Sequence, residues 1–369
     1  MHAVASSALG ERLAAHSRAV ILANQAPNGA FLAGPTFPQY QFVWLRDGAF
    51  IAEALDLVGE REAAGRFHDW VAELVIASRA GLQDATTDGM AGRAPDPADY
   101  LHCRYRVDGS PGPEDWPTFQ LDGPGIWLWS LGVHARACGQ RVTTAHRQAA
   151  ELVAGYLAAL WAHPSYDAWE ESPEHVHTST LAAILAGLCA LETVAPGALA
   201  GEVGAARDAL AGRLLADGGA FAKWDGNPEV DGSLLWLAAP YGLVDPRSAR
   251  FAATLSRIEA DVVSPAGGVH RYRSDTYYGG GEWILLTAAL GRVYLHRGDD
   301  GDRERAATCL RWIEAQAGSD LALPEQVATH ALHPERITEW EDRWGPSARP
   351  LLWSHASYLA LRHELLAAP

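Results

Sequence analysis

A chain of 369 residues with 48% hydrophobic and 20% charged residues buries a large core and is too long for a single antiparallel bundle. Its 45 acidic residues against 29 Lys plus Arg give a formal charge of −16, which leaves no basic stripe for phosphates and argues against nucleic acid as a partner. No apolar run reaches the roughly 18 to 20 residues of a membrane span. The N-terminal stretch lacks the apolar core of an export signal, so a cytoplasmic protein is expected. Cys103, Cys138, Cys189 and Cys309 have no CxxC spacing and are expected to be buried thiols instead of disulfides or a zinc site.

Helical periodicity dominates, and no stretch alternates long enough for a substantial sheet. Twelve helices are predicted in chain order. The first six lie near 5–25, 48–58, 61–78, 123–138, 143–161 and 179–193. The second six lie near 198–215, 233–238, 246–262, 283–296, 302–317 and 354–366. Ser6 or Ser7, Thr143 and Asp302 read as caps of the first, fifth and eleventh. Connections after the even-numbered helices are mostly short, whereas those after the odd-numbered ones are long. Long loops in a compact domain usually carry function. Antiparallel neighbours would bring all the long loops out at one end. The expectation is therefore an all-α fold, an (α/α)6 barrel of twelve helices with its catalytic loops on one rim, forming a single domain over 1–369.

Unusual residues gather in those loops. Eight of the fourteen Trp fall there: Trp44, Trp116, Trp169, Trp224, Trp283, Trp340, Trp344 and Trp353. Indoles interleaved with Asp, Glu and Arg suit a sugar, which has an apolar face and many hydroxyls; small aromatic cores within the loops are the plainer explanation. Loop one ends with Tyr40 and Trp44 followed by Arg46 and Asp47, a pair that by itself is also an ordinary helix cap with a charge partner. Loop three holds Trp169, Glu170 and Glu171, where an indole beside adjacent carboxylates separates their solvation. Loop five carries Arg271, Asp275 and Tyr277 before a run of glycines. Loop six contains Glu325 and closes on Trp353. Glu170 and Glu325 thus supply two carboxylates from separate loops. Glycosidic cleavage requires such a pair, one to protonate the leaving oxygen and one to handle the water or the anomeric carbon.

The ordered set resembles glycoside hydrolase family 15, the glucoamylase family of inverting exo-α-glucosidases. The matching stretches are Y-x-x-x-W-x-R-D-G from Tyr40, W-x-x-x-Q-x-D-G-P from Trp116, D-x-W-E-E from Asp167, R-Y-x-x-D-T-Y-Y-x-G-x-x-W from Arg271, L-P-E-Q from Leu323 and L-x-W-S from Leu351. The resemblance implies the same barrel. It implies Glu170 as general acid, Glu325 as the base that activates water, and Arg46 with Asp47 as the pair that binds the far hydroxyls of the non-reducing-end glucose. Trp44, Trp169 and Trp353 would line that pocket, with Tyr40 near the anomeric carbon. Trp116, Glu171, Arg271, Asp275 and Tyr277 would shape it or the adjoining subsite. Ser274 departs from the acidic residue of fungal members, which puts recognition of the second sugar in question.

Implied in turn are single displacement with carboxyls roughly 6.5 to 9.5 Å apart, a mildly acidic bell-shaped pH profile, and neither metal nor cofactor. The Asp-rich turn 298–302 is too short for an EF-hand loop and reads as a helix cap. Neither an N-terminal β-sandwich nor a starch-binding module is expected. An acidic surface with no obvious exposed apolar helix is compatible with a monomer. Compact length and the resemblance together imply small imported α-glucosides, isomaltose and isomalto-oligosaccharides slightly ahead of malto-oligosaccharides. A trehalase of the same family is the nearest alternative, followed by a non-hydrolytic α/α-barrel sugar enzyme or an inactive sugar-binding protein.

Overall fold

The computed structural model describes residues 8–113 and 116–368. Its architecture is helical, with two antiparallel ladders of two residues per strand. The chain divides into two compact units, each built from separated segments. One contains residues up to Asn24, Ala33–Gln41 and Gly218 onward; the other contains Gln25–Leu32 and Phe42–Asp217.

The second of these holds β1 (Val43–Trp44), α2 (Leu45–Leu57), α3 (Arg61–Ala77), α4 (Arg79–Met90), β2 (Arg104–Tyr105), α5 (Asp122–Ala137), α6 (Thr144–Leu160), α7 (Thr178–Val194) and α8 (Gly201–Leu214). The first holds α1 (Ala8–Ala23), α9 (Ala249–Asp261), β3 (Glu282–Trp283), α10 (Ile284–Arg297), α11 (Asp302–Gln316), β4 (Gln326–Val327), α12 (Ile337–Trp344) and α13 (Leu352–Ala367). Two kinds of helix alternate. In α2, α5, α7 and α10 nearly every residue is buried, as apolar sequence on all sides requires. By contrast α1, α3, α6, α9 and α11 bury one face only. Helix α5 packs between α2 and α7 in one unit, and α10 packs against α11 and α13 in the other.

Glycine sets the α5–α7 spacing. A Cβ at Gly187 would stand 2.5 Å from the Gly125 carbonyl oxygen, and one at Gly125 would meet the Ala183 backbone at 2.8 Å. Gly→Ala normally stabilises a helix by about 0.5–1 kcal/mol. Here the obstacle is backbone, so Gly187→Ala is expected to destabilise by roughly 1–3 kcal/mol, read as a lowered midpoint in denaturant unfolding.

Eleven of the twelve predicted helices are α-helices within a few residues. The eighth is a 3-10 turn over Gly232–Leu237, started by the Asp231 carboxylate accepting from the Ser233 amide. Two helices escaped the periodicity. Helix α4 has only Leu82, Ala85 and Gly89 buried, and α12 buries nothing. Thr143 forms a reciprocal capping box with His146. Asp302 is the first residue of α11 and not its cap; its carboxylate accepts from Arg297 and from the Asp299 amide. The caps proposed at Ser6 and Ser7 lie outside the described residues. All four thiols are free, but only Cys103 and Cys309 are buried; Cys138 is half-buried and Cys189 exposed. No helix among the described residues is long and apolar enough to cross a membrane.

Candidate active site

Helices α2, α5, α10 and α13 begin beside residues of the motifs quoted above or beside loop tryptophans. Trp44 precedes α2, with Arg46 and Asp47 in its first turn; Asp122 opens α5; Trp283 precedes α10; Trp353 lies in the first turn of α13. The apolar run of each helix thereby anchors a short polar segment.

Glu170 is the centre of one constellation. The Asp167 carboxylate accepts from the amides of Trp169 and Glu171, and the Glu170 amide donates to the Asp167 carbonyl. This turn holds Glu170 at φ 67°, a left-handed conformation that costs a non-glycine residue about 1 kcal/mol or more. Around its carboxylate, Trp44 Nε1 donates to Oε1 at 2.7 Å, Gln120 Nε2 to Oε1 at 3.0 Å, and Trp116 Nε1 to Oε2 at 2.6 Å. Arg46 Nη2 stands 3.5 Å from Oε1. The same guanidinium donates through Nη1 to Gln120 (2.8 Å) and Asp122 (3.0 Å), and its Nε is 3.9 Å from Asp47. Burial works against the Arg46 charge, but Asp122, Asp47 and Glu170 outweigh it and raise its pKa.

Asp47 behaves differently. Burial pushes its carboxyl up to about 7, although Arg46 pulls it down. An unfolded Asp titrates near 3.9, so between about 4 and 7 the folded state binds more protons than the unfolded one. Its contribution to stability therefore falls as pH rises through that window. The thermal midpoint is expected to decline less between pH 5 and 7.5 in Asp47→Asn than in the parent protein, as read by differential scanning calorimetry.

A second constellation surrounds Glu325. Tyr40 donates its hydroxyl proton to Glu325 Oε1 at 2.9 Å and lies 2.8 Å from the Tyr277 hydroxyl. With that proton committed, Tyr277 is the donor to Tyr40, and a directed relay Tyr277→Tyr40→Glu325 results. Burial, then the nearby Glu325, holds the Tyr277 hydroxyl far above its usual pKa, so it stays protonated. Arg271 is paired with Asp275 through two nitrogens, and Asp275 also accepts from the Tyr277 amide. The Glu325 segment is held from α13. Ser354 donates to the Pro324 carbonyl at 2.7 Å, and His355 Nε2 accepts from the Leu323 amide at 3.0 Å. Because Nε2 accepts, the neutral His355 carries its proton on Nδ1 and donates to Ser17. Burial keeps this imidazole neutral, with a pKa of about 3. The β3–β4 ladder, pairing Trp283 with Gln326, fixes the other side.

Of the residues singled out in sequence, Trp44, Arg46, Asp47, Trp116 and Glu170 are brought together, as are Tyr40, Arg271, Asp275, Tyr277 and Glu325. Trp353 packs on Trp236 with ring centroids 5.6 Å apart, and Trp169 is buried beside the acidic turn. Glu171 contributes its backbone to that turn. Residues missed as site members are Gln120, Asp122, Asp167, Ser354 and Arg104. All but Arg104 lie within the quoted motifs, which was the available signal. Arg104 had none: its role comes from the β1–β2 ladder, which pairs it with Trp44 and lays its guanidinium 3.9 Å over the Trp116 ring.

These features define a sugar-cleaving enzyme when set beside known proteins. The family model described as glycosyl hydrolases family 15 matches residues 11–363. The chain is 43% identical over 366 residues to the isomaltose glucohydrolase of Kribbella flavida, covering 97% of this chain and 93% of that protein. A solved wild-type glycosidase shares 42% identity with a TM-score of 0.90 over 97% of each chain. A bacterial glucoamylase complexed with acarbose, at 20% identity and TM-score 0.72 over 97% of this chain and 56% of that one, shows the shared fold alone. A trehalase of Thermoplasma volcanium is 24% identical over 284 residues, 71% of this chain and 45% of its own. The protein is a glycoside hydrolase of all-α fold. It belongs to glycosyl hydrolases family 15.

Proposed function

We propose that the chain is an inverting, exo-acting α-glucosidase that releases β-glucose from short α-glucosides, isomaltose and isomalto-oligosaccharides first. The observation that carries this reading is the 43% identity to an isomaltose glucohydrolase over nearly the whole of both chains. Glu170 acts as general acid and Glu325 as general base. The Glu325 network supports the base role, and the Glu170 network marks which oxygen is open to a proton. Oε1 of Glu170 already receives Trp44 and Gln120 and faces Arg46, whereas Oε2 receives Trp116 alone. A carboxylate oxygen has two lone pairs, so Oε2 is the oxygen that carries the transferable proton. Glu325 receives a tyrosine relay on Oε1, which fixes its carboxylate for taking a proton from water.

Arg46 and Asp47 bind the far hydroxyls of the terminal glucose; Trp44, Trp169 and Trp353 line its pocket; Glu171, Arg271, Asp275 and Tyr277 shape the site around them. The chain acts as one catalytic domain, as a cytoplasmic monomer and without metal in the reaction. Among the described residues only four large apolar side chains are exposed, which supports the monomer. Initial rates of glucose release from isomaltose, maltose and trehalose test the substrate. Isomaltose is expected to give the highest kcat/KM. Trehalose as the best substrate would replace this reading with a trehalase.

A further inference from the structure

Histidines scattered in sequence meet at the end of α2 and α5 remote from Glu170. His134 Nδ1 lies 2.9 and 3.1 Å from the two Asp56 oxygens, and Cys138 Sγ lies 3.6 Å from His134 Nε2 and 3.9 Å from Nδ1. One ligand atom from each of the three residues falls within 4.8 Å of the others. His68, fully buried on α3, packs its ring on His134 with centroids 5.0 Å apart, and neither of its nitrogens has a hydrogen-bond partner. His146 stands edge-on to His68 with centroids 6.5 Å apart, its Nε2 2.9 Å from Asp69. Asp56 is nine residues along α2 from Asp47, and His134 twelve along α5 from Asp122. At 1.5 Å per residue the cluster lies about 14 to 18 Å along the helices from those groups, and glycoside cleavage makes no use of it.

A buried Asp–His pair alone is an ordinary ion pair. It does not account for a thiol facing the same imidazole, nor for a neighbouring imidazole sealed from water with both nitrogens unmatched. Buried polar atoms in native proteins nearly always have a partner, an ion included. We propose that Asp56, His134 and Cys138 bind a late first-row divalent cation of the Zn²⁺ type, with the His68 ring packed against His134. The donor set decides the class. One carboxylate, one imidazole nitrogen and one thiolate suit zinc, cobalt or nickel, and disfavour calcium and magnesium, which take oxygen ligands. Binding releases the thiol proton to solvent, and the neutral His134 ring carries its own proton on Nε2 so that Nδ1 is bare for the metal. Half-buried Cys138, at the end of α5, gives the route of entry. The bound ion would tie the ends of α2 and α5 together, a structural site and not a catalytic one.

The test uses the whole purified protein, stripped with chelator and titrated with Co²⁺ and Zn²⁺. The expected result is one ion per chain, with a near-ultraviolet thiolate-to-cobalt charge-transfer band that disappears in Cys138→Ser while isomaltose turnover persists. In the parent protein, Zn²⁺ is expected to slow alkylation of Cys138 at least tenfold, read by peptide mass spectrometry, and to leave exposed Cys189 unprotected. This second readout needs no variant. Absence of stoichiometric binding, a cobalt band that survives in Cys138→Ser, or unprotected Cys138 would each overturn the site.

Discussion

Glu170→Gln and Glu325→Gln are each expected to lower kcat on an unactivated disaccharide by about 10²–10⁴, the usual contribution of a positioned acid or base, with a much smaller change in KM. The substitutions are near-isosteric, so the folds should survive. Glu170 sits in a cage of donors, and a glutamine there presents an amide where Trp44, Gln120 or Trp116 now donates. It has no proton to transfer and turns a donor toward another donor. At Glu325 the glutamine can still accept from Tyr40 through its oxygen, so the relay survives while the base is lost. The two variants therefore differ in a second respect. A substrate with a good leaving group needs little protonation and should rescue Glu170→Gln far more than Glu325→Gln. Steady-state kinetics with isomaltose and with an aryl α-glucoside measure both effects. Equal rescue of the two variants would void the assignment of acid and base, and greater rescue of Glu325→Gln would reverse it.

Arg46 gives the largest expected effect on stability. It is 5% exposed and shared by Gln120, Asp122, Glu170 and Asp47. Removing one partner of a buried ion pair costs about 3–5 kcal/mol, because the opposite charge stays behind unpaired. Arg46→Met leaves the buried Asp122 carboxylate, beside the acidic groups of Asp47 and Glu170, without its cation, and a loss in that range is expected in urea unfolding. Arg46→Lys is not a rescue. The guanidinium sends Nη1 to Gln120 and Asp122 and Nη2 to Glu170, while a single ammonium has no such fork. That variant should fold but lose roughly a hundredfold in kcat/KM, from about 3 kcal/mol of charge-assisted hydrogen bonding.

The sequence disclosed the helices whose sides differ in polarity and most of those that are apolar throughout. It did not disclose α4, whose Gly, Thr and Asp content hides a three-residue stripe, or α12, which buries nothing. The same division applies to the site. Glu170, Glu325, Arg46, Asp47 and the indoles stand in motifs and were legible. The atoms that hold them were less so. Gln120 and Asp167 lie in those motifs as plain polar residues until the turn and the donor net are seen. Arg104 depends on strand pairing across about sixty residues, and His68, His134 and His146 depend on three helices packing together. Local pattern carries neither kind of information, because both arise from which elements become neighbours.

A two-carboxylate single displacement inverts the anomeric centre. Proton NMR during the first turnovers of isomaltose hydrolysis follows the anomeric protons of released glucose before mutarotation mixes them. The β-anomer is predicted to appear first, with the α-anomer growing only at the mutarotation rate. Initial release of α-glucose would contradict the roles given to Glu170 and Glu325, since it requires retention through a second displacement.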